Sequence, residues 1–208
     1  MNDAIVFRPY QPSDRQALSA IIRDTWQYDR FASAKTAARM ARLYLNSCLT
    51  NQTFTQVAVL NGSPVGIIMA QNRHAHHRTM RQRLHYLRAL LPVLCSQEGR
   101  DILQMFTDIH RLDQVLLEDS ASDYDGEIVF FAIDNRVRGK GLGRRLFNTA
   151  LDELRACGMH SFFLFTDTSC NYAFYEHLGL TRRCQCTKTL NVQDSRAIMT
   201  FFLYDYHF

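Results

Sequence analysis

Apolar positions change their spacing several times along the chain, and each change marks an element. "AIVFRPY" reads as a strand and "QPSD" as the turn after it. In "DRQALSAIIRDTWQ", Leu18, Ile21, Ile22 and Thr25 or Trp26 fall on one side of a helix, and "SAKTAARMARLYLNSCL" predicts a second helix. "FTQVAVLNGSPVGIIMAQ" holds two β-rich runs split by Asn61-Gly62, a dipeptide suited to a two-residue hairpin turn. After Gln71 the period lengthens. "HHRTMRQRLHYLRALL" and "GRDILQMFTDIHRLDQVLLED" predict two amphipathic helices, with Pro92 ending or kinking the first.

The strand "GEIVFFAI" follows about fifty residues after the hairpin, where a connection usually takes ~4–6. Then come a glycine-bearing loop, an amphipathic helix ending at Gly158, a strand in "SFFLFTD" and a short helix in "NYAFYEHLG". Two strands, "LTRRCQCTKTL" and "AIMTFFLYDY", close the chain. Interleaved strands and helices with hairpins at both ends predict an α/β fold with a mixed central sheet flanked by helices. Residues 1–208 are expected to form one domain, with 72–125 a helical insertion between the third and fourth strands.

Composition narrows the class. The 208 residues are 47% apolar and 21% charged, an ordinary globular balance able to bury a core. No apolar run approaches the ~18–20 residues that span a bilayer, and "MNDAIVFRPYQPSD" lacks the features of a secretion signal. The expectation is a cytoplasmic protein with no membrane partner. A net charge of +4 suits an anionic cofactor and is too weak to argue for nucleic acid, so no nucleic-acid partner is expected. The six cysteines, at 48, 95, 157, 170, 184 and 186, show no zinc-site spacing and read as buried small hydrophobes. "NRHAHHRTMRQRLHYLR", with His74, His76, His77 and His85, reads as a basic solvated helix face, so no metal is expected.

"DNRVRGKGLGRRLF" sets Gly139, Gly141 and Gly143 among basic side chains, ahead of a helix with Leu142, Leu146, Phe147, Ala150, Leu151 and Leu154 on one face. It fails the P-loop pattern because Gly141 follows Lys140 where the metal-binding hydroxyl would stand. It fails the dinucleotide fingerprint because Arg144 stands at the third glycine. The physical features of an anion seat are present all the same. Glycines let amide N–H groups turn inward, the helix start carries a positive partial charge, and Arg138, Lys140, Arg144 and Arg145 add to it. A glycine-rich turn with solvated arginines is the alternative reading.

The segment Arg138-Gly139-Lys140-Gly141-Leu142-Gly143 resembles the pyrophosphate loop of the GNAT superfamily of acyl-CoA-dependent N-acyltransferases. "IVFFAID" before it is similar to that family's central strand, and "FLFTDTSCNYAFYEHLGL" to its second cofactor motif in slightly shortened form. The resemblance covers about Gly126 to Arg183. It implies a GNAT fold, acetyl-CoA as co-substrate, and transfer of an acetyl or other acyl group to a small-molecule or peptidyl amine by direct attack in a ternary complex. It implies that Phe131, Ala132 and Ile133 present backbone to the pantetheine arm, that residues 138–144 hold the diphosphate, and that Asn171 contacts the pantetheine. A homodimer is a further family-based expectation. The alternative is a non-catalytic acyl-CoA-binding sensor or scaffold.

Two residues are expected to carry the chemistry. The resemblance implies that Tyr175 protonates the departing thiolate, and a phenol near pKa 10 is close enough to a thiol near 8.5 for that transfer. Asn171, four residues earlier, is expected to cap the short helix and share its face. Glu127 is the only charge in "GEIVFFAI", alternating with Val129 and Phe131 opposite Ile128 and Phe130. Desolvation there raises a carboxylate's pKa and suits a general base, a role the resemblance to the histone-modifying branch also implies. Asp125 and Asp123 are the fallback. Cys170 lacks a sequence-evident histidine partner and is not expected to act as a nucleophile. The acidic stretch from Glu118 to Glu127 hints at a cationic acceptor.

Overall fold

A computed structural model describes residues 5–75, 79–192 and 195–208, without the side chains of 191, 192 and 195. Seven strands form one sheet in the order β1-β2-β3-β4-β5-β7-β6. They are β1 (Ile5–Arg8), β2 (Phe54–Leu60), β3 (Ser63–Asn72), β4 (Gly126–Ile133), β5 (Ser161–Asp167), β6 (Thr181–Val192) and β7 (Ser195–His207). Every neighbouring pair is antiparallel except β4 with β5. The turn between β2 and β3 is the expected one, with Asn61 at φ 50° and Gly62 at φ 81°, the left-handed pair a tight hairpin needs.

Helices cover both faces. On one lie α1 (Arg15–Thr25), α2 (Ala34–Thr50), α3 (Met80–Leu94) and α4 (Gln97–Asp119). There Leu18, Ile22, Leu45, Val93 and Ile102 pack on Val57, Ile67, Met69, Phe130 and Ala132. Leu112 and Leu116 of α4 pack with Tyr124, Phe163, Phe201 and Leu203 on that same side of the sheet. On the other face lie α5 (Leu142–Ala156) and the short α6 (Ala173–His177). Leu146, Phe147, Ala150 and Leu154 meet Ile68, Ile128, Phe162 and Phe202 there, with Phe174 and Tyr175 at the margin.

Strand β4 does not keep the alternation its sequence predicts. Met69 pairs with Phe130 and Ala70 with Ile128, so Val129 is an extra residue, a β-bulge. Val129 and Phe130 both face the α1–α4 side, whereas Ile128, Phe131 and Ile133 face α5. The expected grouping of Ile128 with Phe130, and of Phe131 with Glu127, is therefore corrected: the bulge flips every side chain beyond it.

Two helices, α3 and α4, join β3 to β4. Helix α3 opens with a reciprocal capping box between Thr79 and Gln82 and runs through Pro92 to Leu94. Pro92 does not end it at once: it lies in the last turn, where its missing N–H costs one intrahelical bond, and the helix runs two residues past it, with Arg39 Nη1 donating to the Pro92 carbonyl at 3.0 Å. Ser96 then caps α4, accepting from the Gly99 N–H at 3.1 Å. His74 sits in the turn after β3, hydrogen-bonded to Asp125, not on a helix, and His76 and His77 lie outside the described residues. The cysteines are also not uniformly buried: Cys48 is, Cys95 and Cys157 are exposed, and the rest are half-buried.

The corner between α3 and α4 is tight enough to test. A Cβ at Gly99 would lie 2.3 Å from the Val93 carbonyl oxygen and 2.8 Å from Ser96 Oγ. Backbone cannot yield as a side-chain tip can, so Gly99→Ala is expected to destabilise the fold by about 1–3 kcal/mol in a urea melt. An unchanged midpoint would contradict this packing.

Candidate active site

Strands β4 and β5 are parallel neighbours, yet their ladder holds only two pairs, Gly126 with Phe162 and Glu127 with Phe163. Beyond these pairs β5 stays fully paired with β7, and β4 with β3. The edge of β4 from Ile128 onward therefore faces a gap. Its backbone groups are available to an extended ligand, as at an open sheet edge. Phe131, Ala132 and Ile133, the expected contacts, lie on this stretch.

The glycine loop stands on the α5 side of the gap. Asp134 accepts from the Arg136 N–H at 2.9 Å, while its own N–H donates to Val65 at 2.8 Å, fixing the exit from β4. Gly139 (φ 80°) and Gly141 (φ 72°) take left-handed backbone, and Gly141 is the N-cap of α5. Arg145 N–H is bonded to the Gly141 carbonyl, whereas the N–H groups of Leu142, Gly143 and Arg144 belong to the first turn, which has no intrahelical partners. A Cβ on Gly143 would stand 3.5 Å from Phe131, 3.7 Å from Ile133 and 3.7 Å from Phe174, so the helix start lies directly on β4 and α6. Arg138, Lys140 and Arg144 are exposed around the loop. Arg145 instead lies over the Phe7 ring at 5.1 Å. Leu142 is buried, so only its backbone faces the loop.

Tyr175 lies on this same α5 side. Its ring contacts Phe174, Phe147 and Tyr204 at centroid distances of 5.5, 6.0 and 5.9 Å. Phe174 takes the other direction and stacks on Phe131 at 5.5 Å. Burial, then the nearby Cys170 and Asp167, push the Tyr175 phenol above its ordinary range, so it stays protonated. Asn171 does not cap α6. The N-cap is Tyr172, and Asn171 contributes only its carbonyl, to the Phe174 N–H at 3.2 Å. Because α6 begins after it, the expected shared helical face with Tyr175 does not exist. Burial raises Cys170 to about 11, the wrong direction for a nucleophilic thiolate.

Glu127 lies on the opposite side of the sheet. It is half-buried at the last paired residue of β4, and desolvation raises it to about 7 against a weaker opposing effect of Arg73. Arg73 is directed elsewhere, donating to the Tyr124 carbonyl at 3.1 Å and lying over Phe163 at 5.7 Å. Asp113 of α4 is raised to about 7 by burial, and then by the charges of Glu127 and Asp167. Buried Cys48 of α2 also feels Glu127. Asp167, the last residue of β5, accepts from the Ser169 N–H at 2.7 Å, and its charge adds to the raising of both Asp113 and Tyr175.

Sequence reasoning missed Asp113 and Asp167. The signal for Asp113 was there: it sits four residues after Ile109 and three before Leu116, a charge within the apolar stripe of α4. The fallback Asp125 is structural. It accepts from the N–H groups of His160 (2.7 Å) and Ser161 (3.2 Å) and from His74, and the His160 bond leads in holding its pKa low. Asp123 is exposed. A groove of about 470 Å³ between α4 and β6–β7, lined in part by Asp101, Asp108, Ile109 and Phe201, contains none of the expected residues. Among the described residues no three His, Cys, Asp or Glu side chains are grouped to hold a metal ion, and no helix is long and apolar enough to cross a membrane.

Residues 105–180 match the model of the acetyltransferase (GNAT) family. No curated protein matches the sequence. Among solved structures the chain is similar to SsHAT, with a TM-score of 0.62, 18% identity and 98% of both chains covered. An N-acetyltransferase from Staphylococcus aureus Mu50 aligns with a TM-score of 0.56 and 13% identity over 98% of each chain. The ribosomal-protein-S18-alanine N-acetyltransferase from Escherichia coli aligns with a TM-score of 0.53 and 15% identity, covering 99% of this chain and 96% of its own. At these identities the likeness establishes the fold.

The two raised carboxyls make stability depend on pH. A folded pKa of about 7 means that the native chain binds more protons than the unfolded chain between roughly pH 4.5 and 7. Stability from these groups is full below that window and is lost as pH rises through 7. Glu127→Gln is therefore expected to melt above wild type at pH 8, with the gap closing by pH 5. An identical gap at both pH values would mean that Glu127 is solvated like an ordinary surface carboxylate.

Proposed function

We propose that this chain, a member of the GNAT superfamily, moves an acetyl or other acyl group from acyl-CoA to a cationic amine by direct attack in a ternary complex. In this reading residues 1–208 are one acyltransferase domain, with 72–125 inserted between β3 and β4. One observation carries it above the others. The β4–β5 ladder stops after two pairs, with a protonated tyrosine on one side of the opening and a desolvated glutamate on the other.

The residues present suit acyl-CoA. First-turn amides of α5 and the exposed Arg138, Lys140 and Arg144 fit a diphosphate, and the unpaired edge at Phe131, Ala132 and Ile133 fits an amide-bearing arm. Asn171 is exposed close to Tyr175 and remains a candidate contact to that arm. When bound, the thioester supplies the acyl group. Glu127, directly or through water, removes a proton from the acceptor ammonium. A pKa near 7 leaves a usable fraction ionised at neutral pH and the base strong enough to act. Tyr175 holds its proton until sulfur departs and donates it there. Holding both reactants at one gap supplies much of the rate enhancement, so modest acid–base help suffices.

Asp113 and Asp167 join Glu127 on the acceptor approach, and three carboxylates favour a positively charged amine. In this reading Asp113 carries the contribution of the α3–α4 segment to specificity. Removing the segment would also remove Val93, Ile102 and Leu116 from the core, so a point substitution is the cleaner probe.

Thiol release from acetyl-CoA across a panel of monoamines, diamines and peptide N-termini tests the reading. Turnover is expected with at least one cationic acceptor, rising through pH ~7. Tyr175→Phe and Glu127→Gln should each lower kcat by about 100-fold or more while leaving CoA affinity unchanged. CoA binding without thiol release for any amine would indicate a sensor; stabilisation by ATP or NAD in place of CoA would remove the cofactor assignment.

Asp113→Asn is expected to raise KM for a diamine about 10-fold, with little effect on kcat or on a monoamine. Equal losses for both acceptors would show that Asp113 does not read the second charge.

A further inference from the structure

Nine large hydrophobic side chains are exposed among the described residues, and five of them stand on α3. Met80 (78% exposed), Leu84 (48%), Leu87 (52%), Leu91 (61%) and Leu94 (40%) follow one another at intervals of four, three, four and three. That alternation keeps one narrow line facing outward, the spacing of the contact seam between two packed helices. Single exposed leucines need no explanation, but five in register on a helix of fifteen residues do.

The opposite face of the helix is fixed. Ala89 and Val93 are buried in the core, Gln82 Nε2 donates to the Leu49 carbonyl of α2 at 3.1 Å, and Arg39 holds the Pro92 carbonyl. The seam is thus presented on a rigid support, and little ordering entropy is lost when something covers it. The charged residues at its margins are all basic. On a helical wheel Arg83 borders one side, and Arg81 and Arg88 border the other; all three are exposed, and α3 contains no carboxylate. His85 shows the local field: partial burial and then Arg15, Arg81 and Arg88 push its imidazole down.

We propose that the outer face of α3 docks an amphipathic helix of a partner protein whose apolar seam is flanked by Asp and Glu. The margins argue against a second copy of this chain on the same face, because two α3 helices packed seam to seam would set arginine against arginine in either direction. The narrowness of the stripe argues against a lipid surface, which favours a broader apolar face. An acidic helix matches both features: leucines fill the line, and carboxylates meet Arg81, Arg83 and Arg88. This inference is independent of the acyl-transfer reading, since no residue of the seam belongs to the candidate active site.

A synthetic helix of three heptads, Leu at a and d and Glu at e and g, serves as the probe; glutamate repulsion keeps it from pairing with itself. Fluorescence anisotropy with the full chain is expected to show saturable binding that weakens at least about 10-fold when salt is raised from low to high. A Leu84→Asn/Leu91→Asn variant should melt like wild type and bind at least about 10-fold more weakly. Failure to bind, equal binding of a peptide with Lys at e and g, or no effect of the variant would overturn the proposal. So would sedimentation showing a wild-type dimer that the variant dissociates, or capture by phosphatidylserine vesicles when the acidic peptide is not bound.

Discussion

Two parallel strands that stay paired for only two residues control the rest of the site. Had β4 and β5 remained in register along their length, every amide between them would be satisfied within the sheet. The bulge at Val129 contributes to the divergence, because an extra residue bends and twists the strand that carries it. It also decides the chemistry on each side. Phe131 turns toward α5 and meets Phe174, building an apolar wall beside the glycine loop, while Val129 and Phe130 turn toward α2. Glu127 stands just before the bulge, at the last paired position, where the gap begins.

The same gap separates two electrostatic settings. On the α5 side the ends of dipoles and exposed guanidinium groups favour an anion. On the α4 side, Asp113 and Glu127 are both desolvated, and Arg73 opposes the burial of Glu127 only weakly. Each setting is costly alone: like charges repel, and desolvated carboxyls keep protons they would otherwise release. A cation arriving on the α4 side would relieve that cost, pulling the carboxyls toward their ionised forms as it binds. Cation binding there and ionisation of Glu127 and Asp113 are therefore coupled in sign, each favouring the other.

Much of the fold was legible because its determinants are local. Asn61-Gly62 could only be a hairpin turn, the apolar stripes of α1, α2 and α5 each have one period, and the glycines at 139 and 141 are required by left-handed backbone. The bulge was not legible. "EIVFFAI" is apolar on both faces, so no polar residue marks where the alternation slips. Asp113 left a trace, a charge within the apolar stripe of α4, but the spacing could not say that Glu127 lies near it; Asp167, at a strand end, left none. The expected cap at Asn171 was misplaced because α6 is little more than one turn long and its N-cap is Tyr172, one residue later than the sequence suggests. Cys95 and Cys157, exposed at helix ends, show that residue type alone does not place a side chain inside.

The paired helices between β3 and β4 join these observations. Helix α4 spends its inner face on the sheet and delivers Asp113 to the candidate base; α3 spends its inner face on α2 and leaves its leucines outside. A chain under selection only for stability would replace those leucines with polar residues at little cost, since exposed apolar seams invite association. Helix α2, against which α3 is braced, carries Tyr44 and Cys48, which feel the charges of Asp113 and Glu127. Helix α2, bonded to α3 through Arg39 and Gln82, therefore lies between the exposed leucines and Glu127.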